Sequence, residues 1–124
     1  MAGKITLGSR IRALRLEAKV SQRDLADRVA KRLKDNHRGG FDFTYLSKIE
    51  NDRLVPSGAV ILALTEELKG NSDELLALAG KAPADVGEML KQSEGARMFF
   101  RSAMSTQLSE DDWKKLLQQI PKKK

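Results

Sequence analysis

Between Phe43 and Asn51 the chain reads Phe-Thr-Tyr-Leu-Ser-Lys-Ile-Glu-Asn, a helical stretch with few apolar anchors and many hydrogen-bonding tips. Leu46 and Ile49, three apart, form one apolar side, while Thr44, Tyr45, Ser47 and Lys48 carry polar tips elsewhere. A helix this short is marginal in water, because its nucleus fixes several residues before the first bond is gained. Neighbours must brace its apolar side, which leaves the polar face free. Polar tips of this kind suit the hydrogen-bonding edges of base pairs. The expectation is a helix built to enter a DNA major groove.

Other chemistry finds little footing. There is no cysteine, which removes disulfides, thiolate zinc sites and a thiol nucleophile, and fits a reducing cytosol. His37 is the only histidine and sits in a polar stretch, where a solvated side chain is the simplest reading; with Lys34 and Arg38 it can also touch a phosphate. No Gly-rich phosphate loop, Ser/His/Asp set or metal-spaced cluster is found, and Glu110, Asp111 and Asp112 read as helix-start charges. The expectation is no enzyme, no cofactor and no metal. No apolar run approaches the roughly 20 residues of a membrane span, and the N-terminus lacks a signal-peptide core. A cytoplasmic protein without membrane contact is expected.

Four further helices must position the polar helix. Leu7, Ile11, Leu14 and Ala18 give the helical period of a first helix from about Leu7 to Lys19. Ser21 caps a second, with Asp24 as a capping-box-like acid and Leu25, Ala26, Val29 and Leu33 as its buried stripe. Phe41 stands just before the polar helix as a staple residue, and Asp42 is its N-cap. Ser57, after Pro56, caps a fourth helix with core residues Val60, Ile61, Leu64 and Leu68, which Gly70 stops. Ser72 caps a fifth, whose Leu75, Leu76 and Leu78 close the core. Gly80-Lys81-Ala82-Pro83 marks a boundary.

Ser21-Gln22-Arg23-Asp24-Leu25-Ala26 followed by Tyr45-Leu46-Ser47-Lys48-Ile49-Glu50-Asn51, then Pro56-Ser57 and two more helices, resembles the phage-repressor/Cro type of helix-turn-helix domain over residues 7–79. The resemblance implies an all-α fold: a five-helix, lambda-repressor-like helix-turn-helix domain over residues 1–80, with a short C-terminal helical extension over 81–124. It implies that Gln22 bonds a DNA phosphate and braces the recognition helix, with Arg23 as a phosphate contact beside it. It places Phe43, Thr44, Tyr45 and Lys48 towards the groove, where Lys48 can donate to guanine O6 or N7, Thr44 can hydrogen-bond an edge or touch a thymine methyl, and Phe43 can pack on thymine methyls; Tyr45 reaches a phosphate through its hydroxyl, and Asn51 and Arg53 are backbone clamps. For Phe43, burial against the preceding loop is an equal alternative. Arg15 and Glu50 match a pair that joins the first helix to the recognition helix in this family.

One departure concerns the turn. Ala30 to Phe41 holds about ten residues more than the 3–4-residue turn of a helix-turn-helix requires. The surplus is read as a longer second helix, ending near Leu33 or Lys34, and a loop over Asp35–Gly40 in which Gly39 and Gly40 supply positive φ. The role of the inserted residues 34–42 stays open.

Charge agrees with the motif. The net charge is +6, and residues 1–55 hold 13 Lys and Arg against 7 Asp and Glu, whereas residues 56–124 hold 10 of each. The whole excess lies in the helix-turn-helix half, as expected for a surface that meets nucleic acid. A solvated charged surface would give the same count without the motif.

Residues 83–120 read as three short amphipathic helices, around Val86, Met89 and Leu90; around Ala96, Phe99, Phe100 and Ala103; and from Ser109 through Trp113, Leu116, Leu117 and Ile120. Met89, Phe99, Phe100, Trp113, Leu116 and Leu117 make a more apolar surface than a monomeric tail needs, which suits a dimer interface; the alternative is that these helices fold back on the first and fifth helices and complete a monomer core. Two readings follow. The first is a sequence-specific transcription regulator, a repressor that binds a (pseudo)palindromic operator in double-stranded DNA as a homodimer. The second is an antitoxin-like or antagonist-controlled module whose main activity is to bind a protein partner, such as a toxin, through residues 83–120.

Overall fold

The computed structural model describes residues 4–33 and 40–122, apart from the Ala84 side chain, and these form α-helices joined by short turns. The helices are α1 (Leu7–Glu17), α2 (Gln22–Leu33), α3 (Phe43–Glu50), α4 (Gly58–Leu68), α5 (Ser72–Leu78), α6 (Ala84–Gln92), α7 (Glu94–Thr106) and α8 (Glu110–Gln119). The chain is all-α among these residues. It divides into two compact units, Met1–Pro83 and Ala84–Lys124.

Short polar side chains set the helix starts. Thr6 and Ser9 form a reciprocal capping box on α1, and the Ser21 hydroxyl accepts from the Asp24 N–H at 3.0 Å at the head of α2. Asp42 accepts from the Tyr45 N–H at 2.9 Å to start α3, and Ser57 accepts from Val60 to start α4. Each bond satisfies an orphan N–H of a first turn, contributing about 0.5–2 kcal/mol. Asn71, not Ser72, caps α5 through the Glu74 N–H. Its side-chain oxygen has the same reach, and the helix begins one residue earlier than a Ser72 cap requires.

The core of the first unit runs from Leu7 to Leu75. Ile11, Leu25, Leu46, Ile49, Ile61, Leu64 and Leu75 are almost wholly removed from water. α2 packs on α3 and α4, while α1 touches α3, α4 and α5. Leu46 and Ile49 anchor α3, and burying two such side chains stabilises it by about 1.5–3 kcal/mol each. Packing thus supplies the stability that eight residues of isolated helix lack. Phe41 is buried beside this anchor, its ring tilted against that of Tyr45 at 5.0 Å.

Several expectations shift. α1 ends at Glu17, and Ala18 is an exposed C-cap rather than a core residue, because the stripe from Leu7 through Leu14 is complete by then. Lys69, with φ 55°, makes the left-handed turn that ends α4. Gly70 instead lies where a Cβ would come within 3.1 Å of the Leu14 side chain. Leu76 and Leu78 are only half-buried. α2 ends at Leu33 and α3 starts at Phe43, so part of the surplus between them is extra helix. Gly40 has the expected positive φ of 73°. The readings that fall on residues 34–39, including the loop from Asp35, Gly39 and the groups Lys34, His37 and Arg38, lie outside the described residues.

In the second unit α6 packs on α7, and Ser93 and Ser109 cap α7 and α8, the latter in a capping box with Asp112. Ala103 is the one buried apolar side chain among its described residues.

Candidate nucleic-acid interface

α3 is held from behind by a buried polar network. The Arg15 guanidinium meets the Glu50 carboxylate as a fork: Nε donates to Oε2 at 2.7 Å and Nη2 to Oε1 at 3.0 Å. Its remaining nitrogen, Nη1, donates to the Val20 carbonyl at 3.1 Å. The Arg15 side chain is 11% exposed and that of Glu50 3%. Desolvating two charges costs several kcal/mol per ion, and the close bidentate geometry offsets this only with every group satisfied. The pair therefore fixes where the C-terminal turn of α3 sits on α1 more than it adds stability.

Gln22, the first residue of α2, completes the network by donating from Nε2 to Glu50 Oε1 at 3.0 Å. The carboxylate is an acceptor only, so the amide nitrogen faces Glu50 and the amide oxygen points away. One N–H is used inward, and the second stays available for a ligand. Gln22 thus links the head of α2 to the tail of α3.

A second clasp escaped the sequence reading. Asp52, at φ 59°, turns back over the start of α1. Its Oδ1 accepts from the Gly8 N–H at 3.0 Å and its Oδ2 from the Thr6 hydroxyl at 2.7 Å. Gly8 lets the first turn of α1 press on the end of α3: a Cβ there would lie 2.5 Å from the Ile49 carbonyl oxygen and 2.6 Å from that of Glu50. The signals were a glycine inside a predicted helix and Thr6 three residues before Ser9. The positive end of α1 thereby meets the carbonyl end of α3, a favourable alignment of helix dipoles.

The outer side of α3 stays open. Phe43, Thr44 and Lys48 are exposed. Phe43 is 38% exposed, and the Arg23 guanidinium carbon of α2 lies 4.0 Å over its ring centroid. Tyr45 stands apart from these three, half-buried on the flank towards Phe41. Asn51 is exposed and turns its amide back on α3, donating to the Ser47 carbonyl at 2.9 Å, while Arg53, just past it, is exposed. Gln22, Arg23, Phe43, Thr44 and Lys48 thus border one surface formed by the head of α2 and the open side of α3.

At the far end of α2, Arg32 pairs with Glu66 and Glu67 of α4. The hydrogen bond to Glu67 is the main cause that holds its pKa above the usual arginine value. Its charge is therefore already matched by protein carboxylates, unlike that of Arg23.

Two successive helices, the second presenting an open polar face and locked to its neighbours at its C-terminal turn, define a helix-turn-helix. A family model described as a helix-turn-helix domain matches residues 8–81, well over half of the chain. The chain belongs to that family. No curated protein and no solved structure matches it.

In the second unit, Phe99, Phe100, Trp113, Leu116, Leu117 and Ile120 line an open apolar groove of about 680 Å³ between α7 and α8. Phe99 and Phe100 meet edge to face at 5.5 Å. Leu116 is half-buried, and Met89, on α6, is exposed and is not among the groove-lining residues. No helix among the described residues is long and apolar enough to cross a membrane.

Proposed function

We propose that this protein is a sequence-specific DNA-binding transcription regulator of the phage-repressor type, a repressor that docks α3 in the major groove. The observation that carries the reading is the contrast between the two sides of α3. Its C-terminal turn is fixed by Arg15, Gln22 and Asp52, while Phe43, Thr44 and Lys48 stay exposed beside Arg23 at the head of α2. A rigidly held helix with free donors on its outer face supports readout of base edges, which depends on donors kept in fixed register. Gln22 through its second N–H, with Asn51 and Arg53 past the helix, would contact phosphates, which orient a protein on the duplex without reading sequence. Nothing in this reading calls for a catalytic step, a cofactor or a metal, and it places the protein in the cytoplasm.

We further propose a homodimer on a (pseudo)palindromic operator, since one such domain makes too few base contacts for high specificity and two-fold half-sites supply the rest. The apolar groove between α7 and α8 favours self-association through the second unit. It equally supports the second reading, a toxin or antagonist bound by residues 83–120.

Selection from a random duplex library tests the function. An enriched sequence is expected, bound with a slope of about −0.9 in log K against log salt for each phosphate neutralised. A library that returns no enriched sequence overturns the specific-regulator reading in favour of the protein-binding one.

A further inference from the structure

Gln22 and Arg23 are neighbours at the head of α2, yet they reach opposite ends of α3. Gln22 bonds Glu50, the last residue of that helix, and Arg23 lies over Phe43, the first. Seven residues of helix separate these two partners, about 10 Å along the axis. The long Arg23 side chain therefore runs beside α3 and delivers its guanidinium to the N-terminal end. That end of a recognition helix is the one whose residues contact base edges.

The ring changes what the guanidinium can do. Stacking on Phe43 covers one face of the planar group and restrains its position. The five N–H donors lie in the plane and stay clear of the ring. Among the described residues no protein acceptor takes a hydrogen bond from Arg23 and no carboxylate pairs with it. A planar fork that is held in place and left without an acceptor matches a planar pair of acceptors, and a guanine O6 and N7 are such a pair.

We infer that Arg23 is a base-reading residue rather than a phosphate contact, and that Phe43 and Arg23 act as one unit that recognises a guanine in the operator. The inference rests on the DNA-binding reading above and deepens it: the head of α2, as well as α3, sets specificity. Phe43 acts here as a positioning residue, holding the fork at the height of the base edge.

The test is selection from a random duplex library with the full-length protein and with Arg23→Ala, Arg23→Lys and Phe43→Leu, each checked for folding by thermal unfolding. The expected result is one G·C position in the wild-type site that Arg23→Ala flattens and that Arg23→Lys and Phe43→Leu both weaken, lysine lacking the fork and leucine the ring. Replacing that guanine by 7-deazaguanine, which removes only the N7 acceptor, should weaken the wild-type protein about fivefold or more and leave Arg23→Ala unchanged. An unchanged site preference in all three variants, with affinity falling equally on selected and random DNA, would make Arg23 a phosphate contact and overturn the inference. A wild-type protein that enriches no sequence at all would instead overturn the DNA-reading function, and this inference with it.

Discussion

Glu50→Ala isolates the cost of orphaning a buried charge. Glu50 accepts two bonds from Arg15 and one from Gln22, and its side chain is 3% exposed. Its removal leaves the Arg15 guanidinium, 11% exposed, with the Val20 carbonyl alone. Breaking a buried pair in this way costs about 3–5 kcal/mol. A domain the size of the first unit is stabilised by only about 0.05–0.15 kcal/mol per residue in total, so this loss is a large share of the whole. Each kcal/mol lowers the melting temperature of such a domain by about 4–8 °C, which puts the expected drop at tens of degrees. Arg15→Met combined with Glu50→Leu removes both charges and fills the space, and it should recover most of the lost stability. Urea denaturation followed by circular dichroism reads both variants. A loss below about 1 kcal/mol for Glu50→Ala would mean that water reaches the pair and screens it, as at a surface ion pair. A double variant as unstable as the single one would show that packing or helix bonding at Glu50, and not the orphaned guanidinium, sets the cost.

Gly8→Ala should destabilise by about 1–3 kcal/mol through the clash with the Ile49 and Glu50 carbonyls; thermal unfolding decides, since helix propensity alone predicts a gain of about 1 kcal/mol. Lys48→Ala should cost about 1–3 kcal/mol on the best operator and relax base choice there, whereas Gln22→Ala should weaken binding similarly on all sequences; equal losses on selected and random DNA for Lys48→Ala would misplace the reading face. A chain cut after Pro83 should stay folded, because the core cluster lies between Leu7 and Leu75, and should run as a monomer in light scattering if the second unit dimerises; a truncated protein that remains a tight dimer would move the interface to the helix-turn-helix unit.

Much of the fold was legible because it depends on local signals. Ser21, Asp42, Ser57 and Ser109 announce helix starts through side-chain oxygens whose reach is fixed by the backbone. Leu25, Ala26, Val29 and Leu33 give a stripe that can face only a core, and all four are buried. The misreadings came where two residues compete for one job. Asn71 and Ser72 are both good caps, and the choice depends on where the preceding turn leaves the chain. Gly70 reads as a helix stop, but Lys69 takes the left-handed turn and the glycine makes room for Leu14.

The candidate site was legible by type, and by partner only where the family resemblance supplied one, as for Arg15 with Glu50 and for Gln22 as a brace. Lys48 and Thr44 could be read as exposed tips from helical spacing around Leu46 and Ile49. The same spacing puts Phe43 on the edge between buried and open sides, where sequence alone leaves burial and exposure equally open. The structure resolves it through a residue twenty positions away: Arg23 covers the ring, so neither the loop nor the core has to. Asp52 is the same kind of case. Its sequence neighbours suggest a polar residue after a helix, while its work is done 44 and 46 positions back, at Gly8 and Thr6. Contacts of this kind have no periodicity, because they arise where two helix ends happen to converge. They also decide what α3 can do. A recognition helix free to tilt on its apolar anchors would blur its hydrogen-bond register, and it is the clasps at Glu50 and Asp52, drawn from distant parts of the chain, that take that freedom away.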